Sequence, residues 1–144
     1  MGVFSLVKFY MESLKIRTTD KFQLVDITSK VEEVVVKSGV TNGIVLVFAP
    51  HATAAIVVNE HEEGLMSDII QKVKEFTEPR SGKWKHDVVD DNAHAHIGSA
   101  LFGAERVFPV VNKRLLRGTW QNIFLMEMDG PRSMREVYVV VVGE

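Results

Sequence analysis

The sequence predicts a single α+β domain, and three observations carry that reading. Strand-like, β-branched runs gather toward both ends of the chain, three stretches carry a helical apolar stripe, and no regular strand–helix–strand succession joins them. The tally is about eight strands and three helices over residues 1–144, with no repeat, low-complexity tract or linker to divide them.

Taken in order, residues 1–10 (MGVFSLVKFY) are apolar but too short to span a bilayer. No small-residue cleavage site follows, and Leu6 stands where a myristoylation signal needs Ser or Thr, so the run is expected to be a strand or arm packed on the body. Met11 to Thr18 alternates like a half-buried strand. Thr19-Asp20-Lys21 reads as a turn and Phe22 to Ile27 as the second arm of a hairpin. A helix opens at Thr28 or Ser29, either of which can cap it with Glu32 or Glu33 at the complementary position; Val31, Val34 and Val35 form its stripe and Gly39 stops it.

The continuous apolar run Gly43 to Ala49 predicts a strand covered on both faces, and Thr53 to Asn59 a second one. Glu60 begins a helix to about Phe76, with Leu65, Ile69, Ile70, Val73 and Phe76 on one face. A third helix, about 93–102, follows Asn92, a good N-cap, and ends at Gly103. Glu105 to Val111 is a strand that Pro109 places near a sheet edge. A strand runs to Glu127, Asp129 to Arg132 is a turn by composition, and Ser133 to Val142 is a long β-branched strand.

Composition narrows the function. The chain is 46% hydrophobic and 25% charged, ordinary for a globular protein. With 17 basic against 19 acidic residues and no basic run longer than two, it lacks a phosphate-tracking face for nucleic acid. Cysteine is absent, which excludes disulfides, thiolate catalysis and Cys-ligated zinc, and fits a cytoplasmic protein. No membrane partner is expected.

Chemistry concentrates in Lys85 to Ser99, where His86, His94 and His96 fall among Asp87, Asp90 and Asp91. On a helix, residues two apart do not share a face, so His94 and His96 should point apart. Ile97, Ala100 and Leu101 put the buried stripe beside His96, which makes it the site residue and His94 peripheral. His51 follows a rigid buried strand. Together, His51, His86 and His96 would make a three-histidine site with an open fourth position for a divalent metal, zinc or magnesium, with Asp87, Asp90 or Glu127 orienting the far ring nitrogens. Candidates for an anionic ligand are the helix start at Asn92, Ser99, the Gly118-Thr119 backbone and Arg132, with Thr53 beside His51. Trp120 is a core or interface aromatic, or a stacking wall. No glycine pattern for a nucleotide occurs, and no organic cofactor is expected.

Four segments resemble the YjbQ-like family, also called secondary thiamine-phosphate synthase enzymes: H-A-T-A-A-I-V-V-N-E (His51 to Glu60), K-H-D with D-D-N-A-H-A-H-I (Lys85 to Ile97), R-G-T-W-Q-N-I (Arg117 to Ile123) and the final V-V-G-E. Asn112-Lys113-Arg114 departs from the family, whose members usually have a glycine there; the difference touches loop geometry. The resemblance implies an α+β fold on a mixed, curved sheet, assembly as a homotrimer, and a cleft holding His51, His86 and His96. Its implied activity joins hydroxymethylpyrimidine pyrophosphate to thiazole phosphate with release of pyrophosphate. The expected substrate is therefore a small phosphorylated molecule, with His51 and His86 as phosphate or metal contacts, His96 as proton donor or third ligand, Glu127 as orienting carboxylate and Arg132 as phosphate clamp. A metal-dependent hydrolase and a non-enzymatic metabolite- or metal-binding trimer need the same residues and stay open.

Overall fold

A computed structural model of the chain describes residues 6–144; residues 1–5 of the apolar opening run lie outside the described residues. The architecture is α+β, with eight strands in two curved sheets and four helices, one of them a single turn. The five-stranded sheet contains β1 (Lys8–Ile16), β8 (Arg135–Gly143), β3 (Gly43–Phe48), β5 (Glu105–Val111) and the two-residue β6 (Arg114–Leu115), in that spatial order. The three-stranded sheet is β2 (Gln23–Asp26), β7 (Asn122–Glu127) and β4 (Ala54–Asn59). Every ladder is antiparallel, where a mixed sheet was expected.

Two cores explain the layering. Alternate residues of β8 (Val137, Val139, Val141) and β3 (Val45, Val47) face inward onto α1 (Thr28–Ser38) and one face of the small sheet, through Ile56, Ile123 and Leu125. The other face of the small sheet, through Ala55, Phe124 and Met126, packs against α2 (Glu63–Thr77) and α4 (Ala93–Phe102). Strand β7 is therefore buried on both faces, which its sequence Ile123-Phe124-Leu125-Met126 anticipates. No helix among the described residues is long and apolar enough to cross a membrane.

Several expectations are corrected. The hairpin of the first two strands does not form: β1 pairs with β8 and β2 with β7. The segment between them bonds to the 129–132 turn instead, through Thr18 N to Arg132 O (2.9 Å) and Gly130 N to Lys21 O (3.1 Å). Helix α1 is capped from outside its first turn, because Asp26 Oδ1 accepts from Thr28 N (2.9 Å) and Thr28 Oγ1 (2.6 Å). Gly39 ends it in a left-handed conformation, as the sequence indicates. Helix α2 starts at Glu63, with the Glu62 side chain as its cap. The acidic stretch before α4 contains a one-turn helix, α3 (Asp87–Asp90).

The 44–49 and 137–142 runs are covered on one face only. On the outer face of the large sheet, Met11, Val140, Leu46 and Val107 are successive cross-strand neighbours, as are Phe9, Val142, Ile44 and Pro109. Phe9 (69%), Met11 (52%), Ile44 (50%) and Val107 (54%) are half exposed or more, an apolar surface that solvent meets directly.

Candidate functional site

Strand β7 fixes the geometry. Its Glu127 end lies beside Ala54 and Gln23, and its Asn122 end beside Asn59. Six antiparallel residues separate these ends by about 17 Å. The sequence-derived site residues divide between them.

At the Glu127 end, Pro50 breaks the chain after β3, and His51 turns its ring toward β8. Its Nε2 accepts from Glu136 N at 2.9 Å, with Glu136 O 3.1 Å away. Burial, reinforced by the nearby Arg135 charge, holds the His51 pKa below the ordinary histidine value. His86, the exposed residue before α3, meets the half-buried His96 of α4 edge-on, with ring centroids 4.8 Å apart and planes at 76°. Among the described residues neither ring takes a hydrogen bond, so their nitrogens remain open to a ligand. One turn beyond His96, Ser99 Oγ donates to His51 O at 3.3 Å, which ties α4 to the His51 loop.

Beneath these rings the polar groups are saturated. Glu127 is fully buried and accepts from Thr18 Oγ1 (2.8 Å), Arg135 Nε (2.9 Å), Arg135 Nη2, Met128 N (3.1 Å) and Asp129 N (3.1 Å). Burial opposes ionisation of Glu127, but its bonds from Arg135, Thr18 and Asp129 outweigh that and hold its pKa below the usual glutamate value. Its carboxylate reaches no histidine, so its role is to anchor the end of the strand. Thr53 supports the same pair, its Oγ1 accepting from Arg135 Nη2 at 2.9 Å. Asp129 gathers Lys21 Nζ (2.8 Å), Asn92 Nδ2 (3.0 Å) and Arg132 Nη2 (2.9 Å). Arg132 also donates Nε to Asp129 O (3.0 Å), so its guanidinium is already clamped on protein.

The helix face differs from the expectation. Ala95, Gly98 and Ser99 form the buried side of α4 together with His94, while Ala100 and Leu101 are exposed. His94 is therefore a core residue rather than a peripheral one. Its Nε2 donates to Met128 O at 2.9 Å, and burial holds its pKa below the ordinary histidine value. Asn92 occupies the cap position of α4 without capping it; Asp87 Oδ1 accepts from Ala93 N at 3.0 Å instead.

No three His, Cys, Asp or Glu side chains gather as a metal-ligand group among the described residues. His86 and His96 meet, whereas the His51 Nε2 is engaged by the Glu136 backbone.

Gly118 and Thr119 lie at the opposite end of β7. Their loop closes on Gln121, whose Oε1 accepts from Gly118 N (2.7 Å) and whose N donates to Gly118 O (3.0 Å). Trp120 beside them is 68% exposed, so it is not a core aromatic. Close by, Asp26 accepts from His61 Nδ1 (2.6 Å) and Asn122 Nδ2 (2.8 Å) in addition to Thr28. Burial opposes its ionisation, but the Thr28, His61 and Asn122 bonds hold the Asp26 pKa below the usual aspartate value. Sequence reasoning passed over Asp26, His61, Asp129 and Arg135. An Asp two residues before a helix was the available signal for the first.

The family model for UPF0047 proteins of the YjbQ-like type matches residues 12–144. A UPF0047 protein of Methanothermobacter thermautotrophicus is 42% identical over 143 residues, which cover 99% of this chain and 97% of that protein. Among solved structures, a YbjQ-like protein of unknown function from Sulfolobus solfataricus P2 superposes with a TM-score of 0.95 at 58% identity, covering 96% of this chain and 100% of that one. A hypothetical protein from Aeropyrum pernix K1 gives 0.89 at 48% identity, covering 93% and 98%. In sequence and fold alike, the chain belongs to the YjbQ-like UPF0047 family.

Proposed function

We propose that the histidine end of β7 binds a phosphorylated small molecule and assists departure of its phosphate or pyrophosphate by proton transfer. The observation that carries this reading is the edge-on pair of His86 and His96: two imidazoles from separate elements, 4.8 Å apart, whose nitrogens take no hydrogen bond among the described residues. A structural histidine in the same helix, His94, is by contrast buried and bonded to Met128 O. An imidazolium donates its proton as charge develops on a leaving phosphate oxygen, and a neutral imidazole accepts one from an attacking group. The family resemblance supplies the particular reaction: the thiazole nitrogen bonds to the pyrimidine methylene carbon while the bond to pyrophosphate oxygen breaks. His96 is assigned as the donor, since α4 holds it half-buried; His86 contacts the phosphate, and His51 shapes the wall beside Ser99.

The assay incubates pure protein with the pyrimidine pyrophosphate and thiazole phosphate and follows pyrophosphate release. His96→Ala should lower turnover by about a hundredfold or more, the usual contribution of a positioned acid or base, with a smaller effect on KM. Wild-type rates in both His86→Ala and His96→Ala would remove this site from the chemistry. Stoichiometric ligand binding without product would mark a metabolite-binding protein instead.

We further propose that the chain assembles as a homotrimer through the outer face of the large sheet. The exposed Phe9, Met11, Ile44 and Val107 support this, because a face of that composition associates rather than staying solvated. Ile44→Asp should shift the mass measured by light scattering from three chains to one; a mass near 16.2 kDa for the wild type would sink the proposal.

A further inference from the structure

The Asn122 end of β7 carries a second cleft that the histidine reading does not use. Two adjoining cavities, of about 590 and 340 Å³, lie between α1 and the segment that follows β6. Glu32 and Arg117 line both of them; Arg114, Gly118 and Thr119 complete the first, and Asp26 and Asn122 border the second.

The guanidinium of Arg117 is held from one side only. Its Nη1 donates to Gln121 O at 3.1 Å and Gly118 O at 3.4 Å, and the Gln121 side chain stiffens that loop by accepting from Gly118 N. The opposite edge makes no hydrogen bond, and the half-exposed Glu32 carboxylate stands across it as an ion-pair partner. Among the described residues neither Nε nor Nη2 takes a hydrogen bond, and Nε is buried. The Glu32 carboxylate is the nearest anion, and at 3.7 Å from Nε it is beyond bonding distance. The Nε–Nη2 edge is the one with which arginine grips two oxygens at once. Arg114, exposed on the same cleft wall, takes no ion-pair partner among the described residues and adds a second positive charge. Asp26 brings negative charge to the border but has no open acceptor facing the cleft's arginine, since Thr28, His61 and Asn122 occupy its oxygens.

We propose that this cleft is a separate anion site for a phosphate-bearing small molecule, which displaces the half-exposed Glu32 carboxylate to set two phosphate oxygens on the Nε–Nη2 edge of Arg117 and a third near Arg114. A buried N–H that lacks a partner is costly, and an incoming oxygen supplies what Glu32 stands too far away to give. Glu32 limits affinity, because its charge repels the phosphate from the same side. This places the arginine phosphate clamp at Arg117, whereas Arg132 at the histidine end is occupied by Asp129. The site lies at the opposite end of β7 from the histidines, two ends about 17 Å apart, and does not depend on the chemistry there.

Isothermal titration of the full chain with inorganic pyrophosphate tests it. In a His86→Ala/His96→Ala background, which removes the histidine-end phosphate contacts, the chain should show one saturable site, and adding Arg117→Ala should weaken it by about tenfold or more, the loss of charge-assisted bonds. Arg117→Lys, which keeps the charge but not the two-oxygen edge, should fall between them. Glu32→Gln should tighten binding by several-fold, a change no folding defect would produce. Undetectable binding in that background, an affinity unchanged by Arg117→Lys, or weaker binding in Glu32→Gln would each overturn the proposal.

Discussion

The two ends of β7 carry polar clusters built on opposite terms. At the Glu127 end the fixed charges neutralise one another inside the protein: Glu127 with Arg135, and Asp129 with Lys21 and Arg132. What faces outward there is imidazole. At the Asn122 end a carboxylate is saturated instead, and a guanidinium keeps an open edge. The first arrangement suits proton transfer on a rigid base, and the second suits recognition of fixed negative charge. Arg132 and Arg117 are both loop arginines. What separates them is whether a carboxylate already sits within bonding distance.

That contrast can be broken most severely at the buried pair. Arg135→Ala leaves Glu127 as an uncompensated interior charge and should cost about 3–5 kcal/mol in urea denaturation. Arg132→Ala, at a half-exposed pair, should cost less than about 1 kcal/mol. Equal losses would erase the distinction between anchored and solvated charge at this end.

Acid sharpens the comparison with a smaller effect. His94 has a lowered pKa in the fold, so the unfolded chain binds a proton there first as pH falls. Stability is thus full above the unfolded value near 6.5 and declines below it, by at most about 1.4 kcal/mol per pH unit for one proton, until the folded His94 titrates too. His51, also lowered, adds to the same slope. Glu127 and Asp26 have lowered carboxyl pKa values, so their contribution begins to fade only below about pH 4.5 and 3.9 respectively. His94→Gln should flatten the decline below about pH 6.5 in a pH series of urea midpoints. An unchanged slope would mean the core imidazole is not what acid attacks. The smallest effect is expected at the other end: His61→Ala leaves Asp26 its remaining donors and should cost about 0.5–1.5 kcal/mol, as the loss of one half-exposed hydrogen bond does.

Much of this was legible in the sequence, and the failures have physical causes. Continuous apolar residues marked β4 as covered on both faces, although the same signal misled for β3, whose outer face is bare, and Asn92 and Gly103 bounded α4 correctly. Strand period was legible for β1 and β2, but period says nothing about partner, and a short polar loop looked like a hairpin turn. The choice between His94 and His96 rested on Leu101 as a mark of the buried side. Burial follows the small residues instead, because α4 approaches Met128 closely: a Cβ on Gly98 would sit 2.5 Å from Met128 Sδ. Hydropathy gives Gly98 and Ser99 little weight, so the face was misread while His96 still emerged at the edge. Arg117 escaped notice because an unpaired edge is a property of neighbours, not of residue type.

The order of strands within the two sheets also governs how the protein can be made. Each sheet has a central strand that is synthesised late: β2 and β4 wait for β7, and β1 and β3 wait for β8. A nascent chain ending before Asn122 therefore holds α1, α2 and α4 with four strands that lack those central neighbours, and the apolar faces of β3 and β4 are exposed together. Such non-local closure is slow and leaves sticky intermediates, so the sheets close only once β7 and β8 have emerged. Hydrogen exchange on ribosome-stalled chains should find the sheets unprotected at stalls before Asn122 and protected only once β8 has cleared the exit tunnel.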